Sequence, residues 1–151
     1  MVLKLLKAIW FLSMLVTLGA LLFVYASLPQ EVLVQDDTEA RVAISNELFF
    51  YLAMLLIAVS NALVFVMAKV FKTNEELRAW FFGLIITLNI FFIIGMNFIS
   101  LYNSEEKYDY DRIAVIIYGS LALIILWAAA WPVYVIFKRS SLKSFFCKDL
   151  N

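Results

Sequence analysis

The chain has 151 residues, 65% of them hydrophobic and 16% charged, with twelve basic and twelve acidic side chains, no histidine and a single cysteine. Soluble domains carry about 45–50% apolar and about 25% charged residues, so this chain lacks the polar surface needed to coat a water-soluble globule of its size. Zero net charge argues against nucleic acid as a partner, the lone cysteine excludes an intramolecular disulfide, and the absent histidine removes the commonest metal ligand and acid–base catalyst.

Charge divides the chain. Residues 8–28, 48–68, 79–102 and 113–137 contain no Asp, Glu, Lys or Arg, and hold 21, 21, 24 and 25 residues. About 20 residues of helix cross a hydrocarbon core of about 30 Å, and a helix alone satisfies its own backbone hydrogen bonds in lipid. The expected fold is an all-α, single-domain bundle of four transmembrane helices over residues 1–151. Its loops are 29–47 and 103–112 on one face, and 69–78 with the tail 138–151 on the other. The N-terminus, the second connection and the tail share nine of the twelve basic residues, while the other two connections carry nine of the twelve acidic ones. The positive-inside rule then places both termini in the cytoplasm of a plasma membrane. Trp10, Trp80, Trp131 and Tyr134 fall near that cytoplasmic interface, where amphipathic rings prefer to sit.

The first apolar run follows Lys4 and Lys7 and precedes Val24-Tyr25-Ala26, a pattern that also fits a signal peptide. The run exceeds the roughly 7–15 residues of a signal core, so a retained span is expected. Ser13 with Thr17 offers a small surface for close helix approach, as do Ala58 with Ala62, Gly83, Gly95 and Gly119-Ser120 in later spans.

In the first connection, Pro29 is followed by Val32 and Val34 and then by Val42 and Ile44, alternating with period two around Asp36-Asp37-Thr38. This pattern reads as a short hairpin or extended flap that could contact a partner, or as a solvated loop with its valine pairs tucked against the helix ends.

A helix running into Tyr25, then Leu28-Pro29, a strand with Val32 and Val34, and Ser45 opening a second span is similar to the N-terminal unit of SdpI-like bacterial immunity proteins. The similarity covers roughly the first 70 residues. Leu33 stands where the second proline of that pattern falls, and its histidine and glycine-rich stretch are absent. The resemblance implies a bacterial inner-membrane protein and carries over no site residue.

Asn61 lies in the second span, and Asn89 and Asn97 lie in the third. Such amides are costly facing lipid and should point into the bundle. Eight residues of helix return to within about 80°, so Asn89 and Asn97 fit one broad inner face. They are either interhelical bonds or a polar ligand site. Between these spans, Thr73-Asn74-Glu75-Glu76 has capping-box spacing, with Thr73 as the cap, and predicts a tight hairpin of the second and third helices.

In the third connection Glu105, Glu106, Asp109 and Asp111 form an acidic turn that could at most hold a weak hard cation, and Asp109 or Asp111 can cap the fourth helix. Pro132 should kink that helix by removing the hydrogen bond to Ala128. In the tail, Leu142, Phe145 and Phe146 share a helical face with Lys143 and Lys148 around them, which predicts a short interfacial helix over 141–148 with Cys147 at the membrane surface.

No span holds an Asp, Glu, Lys, Arg or His, so proton relays and ion-coupled carriers lack their usual parts, and a serine nucleophile lacks a base. No enzyme, cofactor or metal is expected. The leading expectation is a non-enzymatic accessory or scaffold subunit of a membrane assembly, in contact with lipids and with other subunits or itself. One alternative is an SdpI-like immunity or sensing protein that recognises a peptide through residues 29–47. Another is a small transporter or lipid-binding protein that uses Asn61, Asn89 and Asn97.

Overall fold

In the computed structural model four long helices carry the four charge-free segments: α1 (Val2–Ser27), α2 (Asn46–Val70), α3 (Glu75–Tyr102) and α4 (Tyr110–Lys148). Between α1 and α2 lies an antiparallel hairpin, β1 (Glu31–Asp37) with β2 (Ala40–Ser45). The structure describes residues 2–37, 40–104 and 110–148, with side chains over 2–34, 42–104 and 115–138. Each helix is long and apolar enough to cross a membrane.

Local chemistry sets the ends. α1 stops before Pro29, since the residue preceding proline is pushed from helical geometry; Leu28 closes the last turn by donating to the Val24 carbonyl at 3.0 Å. Ser45 caps α2, its hydroxyl accepting from the Leu48 amide at 3.2 Å. Asn74, not Thr73, caps α3 by accepting from the Leu77 amide at 3.0 Å. This one-residue shift moves Leu77 to the capping-box position and frees the Glu76 carboxylate for α4. The caps predicted at Asp109 or Asp111 and the acidic turn lie outside the described side chains.

α3 is the hub. It packs on α1 most broadly, and also on α2, on α4 and on β1. The interior has two apolar clusters. Leu21, Val24, Leu28, Val32, Phe49, Ile57 and Met96 fill the end nearest the hairpin, and Trp10, Val64, Phe82 and Ile85 fill the end nearest the α2–α3 turn. Thr17, Asn61 and Asn89, all buried, lie between them in each helix's sequence. Among the described residues α4 packs on α3 alone, and no residue of its apolar window is buried. The fourth helix therefore flanks a three-helix core.

The strands add a β element to the expected all-α architecture. In the hairpin Val32 stands opposite Ile44, and a bulge leaves Val34 unpaired between Leu33 and Gln35. Val32 is fully buried and Ile44 packs against the same cluster, whereas Val34 and Val42 are 48% and 44% exposed. The hairpin thus joins the core by one inward pair. α4 runs unbroken through Pro132, and its backbone continues to Lys148. The separate interfacial helix predicted for 141–148 is instead the end of α4, because no helix breaker separates the two stretches; the side chains there lie outside the described set.

Candidate functional site: a buried amide network

Asn61 on α2 and Asn89 on α3 face each other. The Asn61 amide nitrogen donates to Asn89 Oδ1 at 3.0 Å, and the Asn89 nitrogen donates back to Asn61 Oδ1 at 3.2 Å. The remaining hydrogen of Asn61 goes to the Ile57 carbonyl at 2.9 Å, and that of Asn89 to Ser13 Oγ on α1 at 3.0 Å. Trp10 Nε1 donates to Asn61 Oδ1 at 2.9 Å. Ser13 passes its own hydrogen to the Trp10 carbonyl at 2.8 Å, and the single Thr17 hydroxyl hydrogen is shared between the carbonyls of Ser13 at 2.8 Å and Asn89 at 3.4 Å. Each amide N–H has an acceptor and each amide oxygen at least one donor, so the layer joins three helices and leaves no amide donor free for a solute. Asn61 borders a groove of about 310 Å³ between α1 and α2, but its companions there are apolar, Met14, Leu18 and Met54 among them.

The three spanning asparagines do not form one site. Asn97 is exposed and bonds only along its own helix, donating to the Ile93 carbonyl at 2.8 Å. The inner face of α3 runs through Phe82, Ile85, Asn89 and Met96, and residue 97 is one step of about 100° beyond Met96. Trp10, expected in an interfacial belt, points inward: it is 8% exposed and packs edge-on against Phe82 with centroids 5.6 Å apart. Ser13 and Thr17, read as small packing residues, are network members. Trp10, Ser13 and Thr17 at i, i+3 and i+7 occupy one helical face, and that spacing was the signal for them.

Two further asparagines hold the hairpin end. Asn103, at the end of α3, accepts from the Leu33 amide at 2.7 Å and donates to the Leu33 carbonyl at 3.0 Å, which pairs with β1 as a neighbouring strand would. Asn46 donates to the carbonyls of Tyr25 at 3.2 Å and Leu28 at 3.4 Å, tying α2 to the end of α1. Of the predicted contact residues in this region, Val32 and Ile44 are used in packing, while Pro29, Val34 and Val42 are exposed.

α4 is held on α3 by a reciprocal clasp. Trp80 Nε1 donates to the Trp127 carbonyl at 2.8 Å and Trp127 Nε1 donates to the Trp80 carbonyl at 3.0 Å. Gly83 makes room for it, since a β-carbon there would lie 2.7 Å from Trp127 Cε2. Glu76 adds an ion pair with Lys138 at 3.1 Å and accepts from the Tyr134 hydroxyl at 3.3 Å.

No protein-family model matches the chain, and no curated protein or solved structure does either. Among the described residues, no three His, Cys, Asp or Glu side chains converge as a metal site would require.

Proposed function

We propose that this chain is a non-enzymatic, multi-pass accessory or scaffold subunit of a membrane assembly, in a bacterial inner membrane with both termini cytoplasmic. The observation that carries this reading is the saturation of the Trp10–Asn61–Asn89–Ser13 network. Its side-chain N–H groups are all paired inside the bundle, five of its hydrogen bonds crossing between helices, so the polar interior supports a rigid core and the outer surface is left for interaction. α4 supports the same reading, since Val115, Ile116, Leu126 and Phe137 are all exposed on a helix held along one side only. Photo-crosslinkers placed at Val115, Leu126 and Phe137 should capture one protein of defined mass in native membranes. A monodisperse, uncrosslinked monomer that releases no partner on mild solubilisation would count against it.

A second reading takes the hairpin as a peptide-recognising element of the SdpI-like type. The Asn103 bracket on Leu33 favours it, because it fixes the hairpin while Val34 and Val42 stay exposed. Replacing residues 29–44 with a neutral linker should abolish protection against a peptide toxin, and unchanged protection would remove this reading.

A further inference from the structure

At the end of the bundle near the α2–α3 turn, Leu6, Glu76, Trp80, Trp131 and Tyr134 line an open cleft of about 440 Å³ between α1, α3 and α4. Its rings are continuous: Trp80 lies 5.9 Å from Trp131, and Trp131 lies 5.8 Å from Tyr134. Aromatic faces attract cations, most strongly where water is thinned and a carboxylate stands nearby. Glu76 is that carboxylate, left free by the capping shift to Asn74. Two of the residues that line the cleft already hold one cation at its edge, the tethered ammonium of Lys138, 3.1 Å from Glu76 Oε2 and 5.5 Å from the Tyr134 ring centre. We propose that this cleft binds an amphiphile that carries a monovalent cationic group, an ammonium or phosphonium, seated between Glu76 and the rings of Trp131 and Tyr134.

The Lys138 ammonium marks the headgroup position and competes for it. Both members of the Glu76–Lys138 pair are more than half exposed, so the pair is weak and an incoming cation replaces one ammonium with another. Leu6, Ala79 and Ala130 supply apolar walls for the hydrophobic part of the ligand. Both indole N–H groups of the clasp are spent on backbone carbonyls, and the Glu76 carboxylate in the lining disfavours an anion. This site is independent of the accessory reading and stands or falls without it.

The test is titration of the full chain in dodecyl maltoside with tetraphenylphosphonium, followed by tryptophan fluorescence, with the equally shaped anion tetraphenylborate as control. Saturable quenching by the cation alone is expected. E76Q should weaken it about tenfold, W131L similarly, and K138Q should tighten it about threefold by emptying the headgroup position. A gain of affinity in K138Q cannot arise from misfolding. Equal quenching by both ions, or an E76Q or K138Q affinity equal to that of the wild type, would overturn the proposal. Repeating the titration with phosphatidylethanolamine or phosphatidylcholine added assigns the source within the proposal: competition identifies a lipid headgroup, and its absence a free lipophilic cation.

Discussion

Asn61 and Asn89 exchange hydrogen bonds through both of their amides at 3.0 and 3.2 Å, across the α2–α3 contact. Removing one partner strands the other where it is buried, and an unsatisfied buried amide costs about 1–3 kcal/mol. Asn61→Leu or Asn89→Leu should therefore destabilise the fold by that amount. The double substitution should cost less than the sum of the singles. Reversible unfolding of all four variants measures the coupling, expected at about 0.6–1.7 kcal/mol; strict additivity would contradict the pairing.

Asn97→Leu should behave differently. Its side chain bonds only to its own helix and faces outward, so its loss leaves no buried partner unsatisfied. A change within about 0.5 kcal/mol is expected in the same unfolding assay.

Gly83→Ala should loosen α4. The new methyl group would overlap the Trp127 ring, and Trp127 cannot swing aside without giving up its bond to Trp80. Overpacking of this kind costs about 1–3 kcal/mol. Disulfide trapping between cysteines introduced on α3 and α4 should become less efficient, while trapping between α1 and α3 stays as in the wild type. Equal α3–α4 trapping would show that the clasp does not set that contact.

Asn103→Leu should free the hairpin from the end of α3. Leu33 would lose both backbone partners outside the sheet, and a net bond is worth about 1 kcal/mol, or about fivefold in exchange rate. Faster hydrogen exchange at the Leu33 amide, with little change at Asn61 or Asn89, is the expected pattern.

The four helices were legible because absence of charge over more than twenty residues is a direct statement about solvent. The strand pattern through Val32 and Ile44 was legible as well, since period-two alternation is local, whereas the charge-free run starts α2 at residue 48 and misses the Ser45 cap. Facing directions were not legible. Hydropathy treats Asn89 and Asn97 alike, and the width of an inner face is decided by how α1 seats on α3. Trp10 was misplaced for the same reason: its ring suits an interface or a core, and only Asn61 on another helix gives its N–H a buried acceptor. Thr73 and Asn74 are both good caps, and the choice between them depends on the connection from α2. The peripheral position of α4 left no mark in its composition, because a helix facing lipid and one facing protein are equally apolar.

The claim that the interior is a closed structural lock and that interaction belongs to the surface is tested most directly by native mass spectrometry of the gently released protein beside its N61L/N89L variant. A protein partner of fixed stoichiometry retained by both is the predicted result. A monomer carrying a small solute that disappears in N61L/N89L would contradict it.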